Sequence, residues 1–175
     1  MNKVNSYKNR IFLLTGFMCS GKSFLGRKAA NNLDCDFVDL DEQIETQESC
    51  SVTEIFKVKG EEYFRNIETL CFAKLVKNCS KTLIIAAGGG FPLKEENQIL
   101  MKKVIAIFVN TEFDIILSRL NSGEKRNRPL LKNKDENEIK ILYETRLNVY
   151  KSTVDYMVTN ETELITLINS LIKAN

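Results

Sequence analysis

The stretch GFMCSGKS, Gly16 to Ser23, follows the apolar run IFLLT and precedes FLGRKAANNL. Two of only eight glycines stand five positions apart here, with Lys22 and Ser23 directly after them. This is the G-x-x-x-x-G-K-S spacing of a phosphate-binding loop. In such a loop successive backbone N–H groups turn inward around a phosphate, and the next helix adds the positive end of its dipole. Lys22 is expected to reach the outer phosphates of a nucleoside triphosphate, and the Ser23 hydroxyl to ligate Mg²⁺. The nucleotide-side candidates are Gly16, Met18, Cys19, Ser20, Gly21, Lys22, Ser23 and Phe24. β-type residues upstream and an amphipathic helix pattern downstream require a strand–loop–helix unit, and so an α/β fold.

At 175 residues the chain reads as one domain, 1–175, large enough to bury a sizeable core. A net charge of +2 gives no electrostatic reason to expect a nucleic-acid or membrane partner. No apolar run approaches the roughly 20 residues of a membrane helix. The polar start MNKVNSYKNR leads straight into a strand, so no signal peptide is expected. Cysteines at 19, 35, 50, 71 and 79 lack C-x-x-C pairing and leave one over, which points to reduced thiols in the cytoplasm and not to zinc. The chain has no histidine, so a general base must be a carboxylate.

Short apolar runs alternate with helical patterns from end to end. Strands are expected at 10–15, 36–39, 81–87, 104–110 and 155–159, and helices at about 21–33, 52–58, 61–78, 95–102, 111–121, 135–151 and 161–173. Thr111 should cap its helix, ahead of apolar Phe113, Ile116, Leu117 and Leu120. The last helix carries Leu164, Leu167, Ile168, Leu171 and Ile172 on one stripe, expected in the core. Nearly continuous apolar strands separated by helices imply a three-layer α/β/α sandwich around a mostly parallel five-stranded sheet. The segment NSGEKRNRPLLKNKDEN, 121–137, breaks the alternation with five lysines or arginines. It is either a solvated loop or a lid whose arginines meet phosphate on closure.

Asp39 and Asp41, in FVDLDEQIE, sit two apart at a strand end. A strand's period of two would send both carboxylates to one side, at the edge where α/β sheets bind ligands. Such a pair can divide metal-side and acceptor-side work, though a strand-end turn with a helix cap would also explain it. In YFRNIE, Arg65 and Glu68 share a helical face, which fits a plain ion pair or an arginine turned to capture a carboxylate. Three consecutive glycines, Gly88, Gly89 and Gly90, follow the third strand, where backbone can approach a ligand closely or adopt positive φ. No acidic residue ends that strand, so Asp39 is left to serve the metal.

GFMCSGKS, FVDLDEQIE, FRNIE, GGG, RPLL and ETRLNVY occur in the order and approximate spacing of shikimate kinases, and the chain resembles that family over about residues 10–170. The resemblance implies a P-loop kinase fold with strand order 2-3-1-4-5, a substrate-binding segment at about 41–70 and a lid at about 121–135. It implies transfer of the γ-phosphoryl of ATP to the 3-hydroxyl of shikimate, on the path to aromatic amino acids, with Mg²⁺. On matching positions, Lys22 and Ser23 serve the phosphates and metal, and Asp39 holds Mg²⁺ through water. Asp41 binds the shikimate hydroxyls as base, Arg65 and Arg146 clamp its carboxylate, and Gly88–Gly90 supply backbone contacts, with Gly89 the donor. Arg128, before Pro129, is the lid arginine, and Arg119 stacks near adenine. A cytoplasmic monomer acting on small molecules is expected, without nucleic-acid or membrane partners.

The sequence departs from the family at Cys19, where glycine is common, and the lid between Arg119 and Arg128 is longer. Cys19 itself reads either as a thiol activated by the helix N-terminus or as a buried, inert one. Two rivals remain: a gluconate kinase of related fold, and a nucleotide-binding protein without transfer. The combination of D-x-D, F-R-x-x-E and GGG favours shikimate over gluconate. Intact Lys22, Asp39, Asp41 and Arg128 argue against a mere binder.

Overall fold

Ile11–Thr15 is buried along its whole length, as an apolar run between two helical layers must be, and forms the central strand β1. The computed structural model describes residues 11–122, 131 and 134–174. Beside β1 lie β2 (Asp36–Asp39), β3 (Leu83–Ala86), β4 (Ile105–Val109) and β5 (Tyr156–Val158). All pair in parallel, in the order β2-β3-β1-β4-β5. Leu13 stands opposite Ile85 on one side and Ala106 on the other. The helices are α1 (Lys22–Leu33), α2 (Leu40–Glu48), α3 (Val52–Asn78), α4 (Glu95–Met101), α5 (Phe113–Asn121), α6 (Glu136–Ser152) and α7 (Glu161–Lys173).

Successive strand residues take opposite faces. Phe12, Leu14, Ile84 and Ile107 pack against Ala29 and Ala30 of α1 and Leu164 and Ile168 of α7. Ile11, Leu13 and Ile85 pack against Phe72 of α3 and Met101 of α4. The expected sandwich and the core stripe of α7 are both present. A third apolar cluster, with Phe17, Phe108, Ile116, Leu131 and Tyr150, backs the phosphate loop. Among the described residues, no helix is long and apolar enough to cross a membrane.

Three local expectations change. Helix α2 was not expected, because LDEQIETQE buries only Leu40 and Ile44. It forms because Asp39 caps it, accepting from the Asp41 and Glu42 N–H groups at 3.0 and 3.4 Å. Asp41 therefore lies in the first turn of a helix, and the period of two that placed it beside Asp39 does not apply. Thr111 is not a helix cap. Its hydroxyl donates to the Ser20 carbonyl at 2.8 Å, and Glu112 takes the N-cap position without a side-chain bond. In α3, Gly60 has φ 84° and kinks the helix between the two expected segments, so that gap was legible.

Gly26 is where α1 lies closest to the sheet. A Cβ there would stand 2.5 Å from the Phe37 ring and 3.1 Å from Leu14 Cδ1. Gly26→Ala should therefore cost about 1–3 kcal/mol through overpacking, read by urea unfolding. A change below about 0.5 kcal/mol, the range of an ordinary surface substitution, would contradict this packing.

Candidate active site

The carboxyl ends of β1, β2 and β3 open onto a cavity of about 650 Å³. Lys22, Ser23, Asp39, Asp41, Arg65 and Arg146 all line it, together with the glycine run. The loop at its floor turns on Gly16 (φ 149°) and Gly21 (φ 93°), the second in the left-handed conformation that glycine adopts without penalty. Cys19 also has positive φ, 62°, at a position where the resemblance places glycine. For a residue with a Cβ that conformation costs about 1–2 kcal/mol. The loop is held by its surroundings: Thr111 bonds the Ser20 carbonyl, and Arg119 Nη1 donates to the Cys19 carbonyl at 2.8 Å. Lys22 is buried and donates to the carbonyls of Gly16 and Phe17 at 3.0 and 2.9 Å, so its ammonium sits inside the curve of the loop.

Ser23 lies in the first turn of α1 and its hydroxyl donates to Asp39 Oδ2, while Asp39 Oδ1 caps α2. The capping bonds fix the carboxylate, and the two oxygen-bearing side chains meet on the cavity wall next to Lys22. Hydroxyl and carboxylate oxygens suit a hard divalent cation that keeps much of its water, as Mg²⁺ does. Among the described residues no larger cluster of metal-ligating side chains exists.

On the opposite wall, Arg65 combines the ion pair with a place in the cavity lining. It pairs with Glu68 (Nη1–Oε2 2.8 Å) and Glu61 (Nη2–Oε1 3.1 Å), and it also lines the cavity. Arg146 is buried, with its guanidinium carbon 6.0 Å from the centre of the Phe17 ring. Among the described residues its Nε and Nη1 have no hydrogen-bond partner. A buried guanidinium with open donors is costly unless an anion completes it, and a planar carboxylate matches its fork.

The glycine run passes between these groups with no positive φ at any of its three residues. Close approach alone explains its composition. A Cβ on Gly88 would stand 2.7 Å from Glu68 Oε1 and 3.0 Å from Asp41 Oδ1. On Gly89 it would stand 3.2 Å from the Met18 nitrogen, and on Gly90 it would overlap the Arg65 guanidinium.

Most sequence candidates thus converge. Phe24 does not: its ring is 61% exposed beneath Lys28, leaving only its backbone in the first turn of α1 near the loop. Arg119 touches the loop from α5 and is not a cavity wall. Cys19 is buried in the cluster behind the loop, in line with the inert reading. Arg128 and most of the expected lid lie outside the described residues. Phe56 and Phe64, which wall the cavity and flank Arg65, were missed, because their spacing signals only a buried helix face. A second cavity, about 560 Å³, lies at the outer edge of β2 against α3, and none of the candidate residues reaches it.

The family model described as shikimate kinase matches residues 18–174. A shikimate kinase of Clostridium botulinum is 34% identical over 161 residues, 90% of this chain and 94% of the relative. One of Dictyoglomus turgidum is 41% identical over 145 residues, 82% and 83% of the two chains. Among solved structures, a shikimate kinase from Acinetobacter baumannii in complex with shikimate superposes with a TM-score of 0.81 at 28% identity, covering 94% of this chain and 92% of its own.

Glu68 is fully buried behind the cavity lining, against Arg65 and Gly88. Burial pushes its carboxyl up to about 7, outweighing the opposing pull of Arg65, and Asp41 adds repulsion. Folding therefore favours protonated Glu68: its contribution is fully present below about pH 4.5 and is lost as pH rises through about 7. Stability should fall by up to about 1.4 kcal/mol per pH unit across that window. Glu68→Gln should remove the slope, giving a larger relative gain at pH 8 than at pH 5 in denaturant titrations. Equal changes at both pH values would show that Glu68 is charged throughout.

Proposed function

This chain belongs to the shikimate kinase family, and on that premise we propose that its cleft moves the γ-phosphoryl of ATP onto the 3-hydroxyl of shikimate. The observation that carries the reading is the pair of arginines, one with open donors, facing the phosphate loop across a single cavity. Phosphoryl transfer asks little covalent chemistry of a protein, so positioning and charge do most of the work.

Arg146 and Arg65 would grip the shikimate carboxylate and turn its 3-hydroxyl toward Asp41. As the acceptor oxygen bonds to the γ-phosphorus, its proton passes to Asp41 and the bond from phosphorus to the bridging oxygen of ADP breaks. Lys22, already inside the loop, would exchange the Gly16 and Phe17 carbonyls for phosphate oxygens and offset the charge leaving with ADP. Ser23 directly and Asp39 through water would hold Mg²⁺, which neutralises phosphate charge when bound. Arg128 completes the reading from the lid, as the resemblance implies, and Arg119 steadies the loop from the adenine side.

All five cysteines are free thiols, which suits the cytoplasm. ATP consumption measured in parallel with shikimate, gluconate and nucleoside monophosphates tests the assignment. Turnover with shikimate alone is expected, and preference for gluconate would overturn it. Arg146→Lys cannot reproduce the bidentate fork. It should weaken shikimate binding by about 1.5–3 kcal/mol, the size of one charge-assisted hydrogen bond, and leave ATP binding nearly unchanged. Calorimetric titration of both ligands decides, and equal losses would remove Arg146 from the acceptor site.

A further inference from the structure

Among the described residues Tyr150 is the largest fully buried side chain, and it lies in the last turns of α6. Its ring stacks on Phe108, centroids 5.2 Å apart and planes 25° from parallel. A buried phenol needs a polar partner. Here the partner is the carbonyl of Gly89, to which the hydroxyl donates at 2.5 Å. Burial pushes this phenol up to about 12, so it stays a donor through the working pH range.

Two features give that bond reach. Tyr150 stands four residues after Arg146, one helical turn along the same face, and the two side chains interact. Gly89 in turn packs on the phosphate loop, with room for a Cβ only 3.2 Å from the Met18 nitrogen and 3.3 Å from the Gly16 carbonyl. One face of α6 therefore sends a guanidinium to the cavity and a hydroxyl to the glycine run that borders it. The peptide after Gly89 is trans, so holding its carbonyl also sets the opposite direction of the Gly90 N–H.

We propose that Tyr150 is a positioning residue for the acceptor: its hydroxyl fixes the Gly89–Gly90 peptide to α6, and with it the placement of that backbone relative to Arg146. This rests on shikimate being the acceptor. The packing of the ring belongs to stability, whereas the hydroxyl belongs to the geometry of the cleft. Removing the hydroxyl alone separates the two.

The test compares wild type, Tyr150→Phe and Tyr143→Phe. Tyr143 is the control: it lies on the same helix, and its hydroxyl donates to the Thr111 carbonyl at 3.2 Å, away from the glycine run. Calorimetry should show shikimate binding weakened about tenfold in Tyr150→Phe and less than twofold in Tyr143→Phe, with ADP affinity unchanged in both. In the ligand-free protein, hydrogen exchange at the Gly90 amide should be at least tenfold faster in Tyr150→Phe alone. Equal effects of the two substitutions, or no effect of Tyr150→Phe on either readout, would overturn the proposal. If wild type neither binds nor phosphorylates shikimate, the acceptor assignment fails instead, and the exchange at Gly90 still decides whether the hydroxyl holds that peptide.

Discussion

Between the end of β3 and the turn at Phe91–Leu93, the chain passes the phosphate loop on one side and α3 on the other, with room for backbone only. Gly88 lies against the Asp41 and Glu68 carboxylates, Gly89 against the loop, and Gly90 against Arg65. Any side chain there would press on Asp41, Arg65 or the phosphate loop. Phosphoryl transfer requires the two reactants within a few ångströms and in line, so this contact sets the scale of the whole cleft. The sheet order serves it. With β1 central and β3 beside it, the phosphate loop and the glycine run leave adjacent strand ends.

The same contact explains the charges around it. Arg65 shares its guanidinium between Glu61 and Glu68, which keeps it from collapsing onto one partner while a cavity-facing edge remains. Arg146 keeps its Nε and Nη1 donors open among the described residues. The two arginines thus differ in readiness. Arg65 is held by two carboxylates of its own helix, whereas Arg146 interacts with Tyr150 and keeps two donors open. Across the cavity, Lys22 rests on loop carbonyls, interactions that phosphate oxygens can replace without moving the backbone.

Much of this was legible in the sequence. The G-x-x-x-x-G-K-S spacing located the loop, continuous apolar strands announced a sheet covered on both faces, and two helical patterns, 52–58 and 61–78, met where Gly60 kinks α3. Asp39 was read at the end of its strand, where it stands. Asp41 was placed for the wrong reason, because α2 has only two buried positions and is stabilised by a cap more than by a periodic face. The glycine run was flagged, but its cause, steric contact with residues far apart in sequence, is not written in local pattern. Tyr150 was missed on the same ground. A tyrosine near a helix end looks like core, and only the fold reveals that its hydroxyl meets Gly89.

The contact at Gly90 offers the most direct test of the account. Gly90 has ordinary right-handed backbone angles (φ −97°, ψ −6°), so alanine fits the chain without strain, and the atoms nearest its methyl group belong to the Arg65 guanidinium. Calorimetric titration of shikimate into Gly90→Ala therefore isolates the acceptor wall. The account predicts shikimate affinity at least tenfold weaker, with ADP affinity and melting temperature close to wild type. Unaltered shikimate affinity in a folded Gly90→Ala protein would contradict it.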